Sequence, residues 1–132
     1  MSVKQLVVIG NGMVGHRFLT EAAELGLLST YRTIVCAEEP RPAYDRVHLS
    51  QFFEGKDATA LALGTVEEYE QRGIELRLGD PAISIDRDAR CVRTRSGNTL
   101  EYDTLVLATG SRPFVPNVPG NDLRSCFVYR TI

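Results

Sequence analysis

Four short apolar runs lie at residues 6–9, 33–37, 74–78 and 104–108. Apolar runs of this length with little alternation are typical of strands that are buried on both faces in a parallel sheet. Three further segments, at residues 82–86, 91–94 and 99–102, alternate between apolar and polar positions and are separated by polar turns. They predict a small antiparallel meander.

Helical periodicity follows the first run. Phe18, Leu19, Ala22, Ala23 and Gly26 recur at three- and four-residue spacing, which predicts one apolar stripe facing a sheet and a helix that ends at Gly26.

Two more helices are predicted. The segment Thr65-Val66-Glu67-Glu68 has the pattern of a capping box, and Gly73 would end the helix that it starts. A short helix is expected around residues 49–53.

The first run leads straight into a glycine motif, Gly10-Asn11-Gly12-Met13-Val14-Gly15. Gly10 permits a tight turn, Gly12 leaves room for a phosphate at the backbone, and Gly15 lets the helix pack closely on the strand. Met13 and Val14 start the helix, where free N–H groups and the positive dipole end favour an anion. The motif predicts an α/β fold, a Rossmann-like three-layer dinucleotide-binding domain with the small meander attached.

An acidic residue ends the second run. Glu38 lies 23 residues after Gly15, close to the spacing of about 20 at which a carboxylate accepts hydrogen bonds from ribose hydroxyls. The alternative is that Glu38 and Glu39 are both solvated loop acids. With the glycine motif in place, we assign the ribose contact to Glu38 and expect Glu39 to face solvent.

Composition narrows the class of protein. With 132 residues and 43% hydrophobic content, the chain is expected to form one globular domain, and its net charge of −2 gives no reason to expect nucleic acid as a partner. Cysteines 36, 91 and 126 show no zinc or iron–sulfur spacing. No run has transmembrane length and no signal pattern opens the chain, so a cytoplasmic location is predicted.

Taken together, the glycine motif, Glu38, the meander and the run that ends in Ala108-Thr109-Gly110 resemble the FAD domain of flavoprotein reductases with two dinucleotide folds. The resemblance implies FAD as the ligand of this motif. It also implies that a second glycine-rich unit, later in the parent chain, binds NAD(P)H. No C-x4-C pair follows Glu38, which argues against a redox-active disulfide.

A narrower resemblance covers the whole chain. The segments at residues 10–18, 38–41, 43–50 and 126–131 resemble the N-terminal part of NAD(P)H-dependent nitrite reductase large subunits. It implies that electrons from NAD(P)H pass through FAD toward an iron–sulfur cluster and siroheme, where nitrite is reduced to ammonium. Two alternatives stay open: the FAD domain of a ferredoxin or rubredoxin reductase, and a non-catalytic nucleotide-binding module.

The resemblance also implies further cofactor contacts. Arg46 would reach the FAD phosphates or ribose, and Ala82 would contact adenine through its backbone. Thr109, Gly110 and Arg112 follow a strand end, where ligands gather in open α/β sheets. Arg112 would offset charge on the phosphates or the reduced flavin, with a surface arginine as the alternative. No catalytic residue and no metal ligand is assigned.

The resemblance further implies that residues 1–132 form an FAD-binding domain at the N-terminus of a longer chain. The rest of that chain and a small subunit would be its partners, and NAD(P)H, siroheme and the iron–sulfur cluster would be bound outside these residues. The domain alone is expected to hold FAD weakly, to lack NADH oxidation activity and to self-associate. His16 and Tyr44 are expected to pack, and His48 is assigned no role.

Overall fold

The computed structural model describes residues 2–132. Its strands are β1 (Lys4–Ile9), β2 (Tyr31–Cys36), β3 (Ile74–Arg77), β4 (Ala82–Asp86), β5 (Cys91–Thr94), β6 (Thr99–Glu101) and β7 (Thr104–Leu107). Its helices are α1 (Met13–Glu24), α2 (Ala58–Leu61) and α3 (Val66–Gln71), with short 3₁₀ turns at Leu27–Ser29 and Leu49–Phe52. No helix within residues 2–132 is long and apolar enough to cross a membrane.

The strands form two sheets. The central sheet is parallel, in the order β3-β2-β1-β7, and the second sheet is the antiparallel meander β4-β5-β6. The connection from β1 through α1 to β2 has the βαβ form expected of parallel strands. Both sheets were predicted from the run pattern and are confirmed.

Alternate side chains of β1 face opposite layers. Leu6 and Val8 pack with Leu19 of α1 and Tyr69 of α3. On the other face, Val7 and Ile9 pack with apolar residues of β2 and of the meander, among them Ile34, Cys36, Val92 and Leu100. Helices, parallel sheet and meander therefore form three layers with two cores, which confirms the predicted fold class.

The turn after β1 requires glycine for steric reasons. Gly10 has φ +103°, and a Cβ at this position would lie 2.1 Å from the carbonyl oxygen of Ala108. A Cβ on Gly15 would lie 2.5 Å from the carbonyl oxygen of Gly10. These two residues let α1 approach the ends of β1 and β7 closely, as the motif predicted.

The segment between β2 and α3 is more ordered than the sequence indicated. The Asp57 side chain accepts a hydrogen bond from the Ala60 N–H at 2.8 Å and starts α2, a helix that was not predicted. Leu61 of this helix forms a small buried cluster with Tyr44 and Leu49. The cluster packs the long connection together and gives the residues after Glu38 fixed positions.

Candidate dinucleotide-binding site

Three neighbouring strands end at one edge of the central sheet. Ile9 pairs with Cys36 of β2 and with Leu107 of β7, so the residues that follow these strands lie side by side. They surround a cavity of about 210 Å³, lined by residues 10–14, 37–39, 41, 42, 44, 46, 108–110 and 130. This volume is below the roughly 300–1,000 Å³ typical of small-molecule sites, so the cavity suits part of a dinucleotide.

The start of α1 forms one wall of the cavity. Gly12 is its N-cap residue, no side chain caps this end, and the first turn carries no acidic residue. A Cβ built on Gly12 would meet nothing within 4 Å, so the space beside its backbone is open. The N–H groups of the first helical turn have no partner within α1 and can donate to an anion.

Two polar atoms on lining residues are buried without a partner. They are Nδ2 of Asn11 and Nε of Arg41, neither of which has a hydrogen-bond partner among the described residues. A buried donor left unpaired costs about 1–3 kcal/mol. Anionic oxygens in the cavity would satisfy both donors, so the donor set fits the diphosphate of a dinucleotide.

Asn11 is held by contacts on the side of α3. The Tyr69 hydroxyl donates to Asn11 Oδ1 at 3.0 Å and lies 2.7 Å from Nδ1 of His16. The hydroxyl has one proton, so in this arrangement His16 Nδ1 donates to the Tyr69 oxygen. Burial is the main cause that lowers the pKa of His16, followed by the charge of Arg72, and burial also raises the pKa of Tyr69. His16 therefore has the packing role that was expected.

Glu39 does not face solvent, and that prediction was wrong. Its side chain is 17% exposed, accepts a hydrogen bond from the Tyr44 hydroxyl at 2.6 Å and forms an ion pair with Arg46. Burial and this hydrogen bond raise the pKa of Tyr44. Because the chain folds back after Pro40, Tyr44 and Arg46 come into reach of Glu39 and shield its carboxylate from water.

The guanidinium of Arg46 lines the cavity and also forms three hydrogen bonds with protein. Besides Glu39, it donates to the Tyr44 hydroxyl at 3.0 Å and to the Arg130 carbonyl at 2.6 Å, and it lies 4.8 Å from the centre of the Tyr44 ring. Arg46 thus ties the loop after β2 to the C-terminal segment.

Glu38 lies at the rim of the same cavity. Its side chain is exposed, and no hydrogen bond or ion pair occupies its carboxylate in the part of the chain that the structure describes. The two neighbouring glutamates therefore differ: one carboxylate is open to a ligand and the other is enclosed by protein.

Most of the predicted site residues line the cavity: Gly10, Gly12, Met13, Val14, Glu38, Arg46, Thr109 and Gly110. Gly15 lies beneath the turn, against Gly10. Ala82, at the start of β4, and the exposed Arg112 are outside the lining. The contacts of all these residues with a cofactor stay predictions.

Eight lining residues were not predicted as cofactor contacts, among them Asn11, Arg41 and Arg130. Asn11 stands inside the glycine motif, and that position was a signal that could have been used. Arg41 and Arg130 are brought to the site by folding. The lining carries three arginines and two glutamates, a formal charge of +1, which favours an anionic ligand.

Comparison with known proteins agrees with this geometry. The family model for pyridine nucleotide-disulphide oxidoreductases matches residues 4–132. The chain belongs to this family. Membership implies a flavin cofactor and confirms the resemblance to flavoprotein reductases that the motifs indicated.

The similar curated proteins are much longer than this chain. Over its whole length it is 51% identical to the nitrite reductase [NAD(P)H] large subunit of Klebsiella oxytoca, and it covers 14% of that protein. It is also 45% identical, over its whole length, to the nitrite reductase (NADH) large subunit of Escherichia coli K12, and it covers 16% of that protein. The assimilatory nitrate reductase electron transfer subunit of Bacillus subtilis is 35% identical, with 17% of its length covered.

Among solved structures, a ferredoxin reductase from Rhodopseudomonas palustris superposes with a TM-score of 0.85 and 28% identity, over 97% of this chain and 31% of that one. The NADH:rubredoxin oxidoreductase of Clostridium acetobutylicum, at 24% identity, superposes with a TM-score of 0.78 over 90% of this chain and 31% of its own. The second likeness concerns the fold alone.

Proposed function

We propose that the cavity holds FAD and that the whole protein is an NAD(P)H-dependent nitrite reductase, in which this domain relays electrons from NAD(P)H toward siroheme. The FAD site is supported by the open space beside Gly12 at the start of α1, in a cavity whose lining also includes the residues of the two unpaired buried donors. The nitrite-reducing activity is supported by 51% identity to a nitrite reductase large subunit over the whole chain.

Each part of the cavity has a role in this proposal. The backbone of Gly10, Gly12, Met13 and Val14 receives the diphosphate, and Gly15 keeps α1 close enough to do so. Glu38 accepts hydrogen bonds from the adenosine ribose, because its carboxylate is the one without a protein partner.

The remaining predicted contacts lie on the far side of the diphosphate. Thr109 and Gly110 face the flavin side of the ligand at the end of β7. Ala82 and Arg112 stand outside the cavity, so their contacts require that the ligand extends beyond it. Arg46 reaches the FAD phosphates or ribose from the cavity lining, and it also holds Glu39 and the C-terminal segment in place.

FAD, when bound, supplies the hydride and electron chemistry, and the protein supplies position and electrostatics. We assign no acid–base residue to this chain. NAD(P)H, the siroheme and the iron–sulfur cluster would be bound by other parts of the protein. The remainder of the nitrite reductase chain and a small subunit would be the partners.

A cytoplasmic location fits the cysteines. Cys36, Cys91 and Cys126 are all free thiols, of which Cys36 is buried in β2 and Cys126 is exposed. Exposed free thiols are typical of a reducing compartment.

A ferredoxin- or rubredoxin-type reductase is the alternative electron-transfer enzyme. Rhodocoxin reductase of Rhodococcus erythropolis is 33% identical over 96% of this chain. Identity to the nitrite reductase large subunits is higher and extends over the whole chain, so nitrite reduction is favoured.

Identification of the cofactor and the acceptor tests the proposal. The complete native protein should release FAD on acid denaturation, detected by absorbance and mass spectrometry, and should oxidise NADH or NADPH when nitrite is added. Release of FMN or NAD, or of no nucleotide, would contradict the FAD site. Oxidation driven by a ferredoxin or rubredoxin but not by nitrite would favour the alternative.

A further inference from the structure

His16, Tyr69 and Asn11 form a linear hydrogen-bond network that leads from α3 to the cavity. Tyr69 is 2% exposed, and its hydroxyl lies 2.7 Å from Nδ1 of His16 and 3.0 Å from Oδ1 of Asn11. The rings of His16 and Tyr69 meet edge to face, with 5.8 Å between their centres. Asn11 lines the cavity, and its Nδ2 is buried without a partner among the described residues.

The network can run in two directions, because the hydroxyl of Tyr69 has a single proton. In one direction, His16 Nδ1 donates to Tyr69, Tyr69 donates to Asn11 Oδ1, and the free end of the amide is its nitrogen. In the other, Asn11 Nδ2 donates to Tyr69, and Tyr69 donates to Nδ1 of a neutral His16 that carries its proton on Nε2. The amide is then turned over, and its free end is the oxygen.

An anion in the cavity distinguishes the two directions. Without a ligand, each direction leaves one atom of the Asn11 amide unpaired, so the two differ little in free energy. An anionic oxygen accepts a charge-assisted hydrogen bond from a free amide nitrogen, whereas a free amide oxygen offers it no proton. The anion therefore favours the direction in which His16 is the first donor.

Protonation of His16 favours the same direction. A protonated imidazole carries N–H groups on both nitrogens, so its Nδ1 can only donate to Tyr69. Because a proton on His16 and an anion in the cavity select the same direction, each raises the affinity for the other.

The groups around His16 keep it mostly neutral near pH 7 when no ligand is bound. Burial is the main cause that lowers the pKa of His16, the charge of Arg72 lowers it further, and that of Glu68 raises it. Arg72 Nη1 lies 3.4 Å from Thr20 Oγ1, and Thr20 donates to the His16 carbonyl at 3.0 Å. His16 can therefore take up a proton when an anion binds.

We propose that Tyr69 and His16 are positioning residues that turn the amide nitrogen of Asn11 toward the diphosphate of FAD, and that they link FAD affinity to the protonation of His16. The inference rests on the proposed FAD site. The backbone N–H groups of the glycine motif do not titrate, so a pH dependence that requires Tyr69 separates this contact from theirs.

The test measures the Kd of FAD for apoprotein of the complete chain at about pH 8 and about pH 5.5. The wild type should bind FAD more tightly at the lower pH. Tyr69→Phe breaks the network and keeps the histidine, and His16→Gln removes the titrating group. Each should reduce the ratio of the two Kd values by about 3- to 10-fold, and the double variant should reduce it no further.

A matched control removes a hydroxyl outside the network. Tyr31 packs against the same core cluster as Tyr69 and lies outside the cavity, and its hydroxyl has no hydrogen bond with the residues that the structure describes. Tyr31→Phe should keep the wild-type ratio. Thermal unfolding of every variant at both pH values shows that the protein is folded during the titration. Glu68, Arg72 and titrating groups elsewhere in the protein are retained in all variants, so their effects cancel.

Failure of this inference can be told apart from failure of the proposed function. An unchanged ratio in both variants would mean that His16 is not coupled to FAD. A reduced ratio in only one of them, such as His16→Gln through its charge alone, would mean that the hydrogen bonds do not carry the coupling. Either result would overturn the inference while the FAD site stands. If wild-type apoprotein takes up no FAD, the proposed function itself is contradicted.

Discussion

Adjacent residues at the end of β2 have opposite environments, and this leads to a prediction at the residue scale. Glu38→Ala should weaken FAD binding by about 1.5–3 kcal/mol, because ribose hydroxyls lose a charged acceptor, and should leave stability unchanged. Glu39→Ala should lower the free energy of unfolding by about 1–3 kcal/mol, because Arg46 is left half-buried without its partner. FAD titration and urea unfolding of both variants measure the two effects.

The opposite pattern of results would contradict the assignment of FAD binding to Glu38 and of stability to Glu39. A Glu39→Ala variant of normal stability that had lost FAD, beside a Glu38→Ala variant that kept it, would mean that Glu39 contacts the ribose.

We expect His16 to make the free energy of unfolding depend on pH. Burial lowers its pKa below the ordinary value of 6.5, so below pH 6.5 the unfolded chain takes up a proton that the folded chain does not. The contribution to stability is complete above pH 6.5 and is lost as the pH falls toward the pKa of the folded state. Between about pH 7.5 and about pH 5.5, the free energy of unfolding should fall more steeply in the wild type than in His16→Gln. Parallel curves from urea unfolding would contradict this role.

Local sequence explains why some site residues could be predicted and others could not. Glu38 follows an apolar run at the spacing from Gly15 that the motif requires. Nothing in the residues next to Glu39 indicates that Tyr44 and Arg46 will enclose it. Arg130 lies 84 residues after Arg46 in the chain, and its carbonyl accepts a hydrogen bond from the Arg46 guanidinium. Only tertiary folding brings these two residues together at the cavity.

At the scale of the element, the turn from β1 into α1 contains two glycines that the fold requires, Gly10 and Gly15, and one that it does not require, Gly12. Gly10→Ala should lower the free energy of unfolding by about 3 kcal/mol or more, because its Cβ would overlap the Ala108 carbonyl at positive φ. Gly12→Ala should change it by less than about 1 kcal/mol, since nothing lies within 4 Å of the new Cβ. Urea unfolding of the two apoproteins checks this, and equal losses would show that the motif is only structural.

The elements that the sequence predicted are those with a strong local pattern. The capping box at Thr65 forms with both reciprocal hydrogen bonds, and Gly73 follows α3 with φ +72°. The parallel strands and the meander also lie where apolar runs and polar turns indicated. By contrast, α2 has four residues, too few to show periodicity, and its stability comes from burying Leu61 against Tyr44 and Leu49.

At the scale of the whole molecule, the chain spans 14–17% of the long relatives described above. The cavity of about 210 Å³ suits part of a dinucleotide. We expect the 132 residues alone to bind FAD more weakly than the complete protein and to show no NADH oxidation. FAD titration and an NADH absorbance assay of both forms check this. Equal affinity in the two forms would show that the cavity is sufficient by itself.

The central claim, that this cavity holds FAD, is tested most directly by the flavin content of a Gly12→Val variant of the complete protein. The valine side chain would occupy the space beside the start of α1, while the fold has room for it. Ala89→Val, at an exposed turn residue outside the cavity, is the matched control. We expect Gly12→Val to be purified folded and without flavin, whereas the control retains the wild-type FAD-to-protein ratio. Wild-type flavin content in Gly12→Val would contradict it.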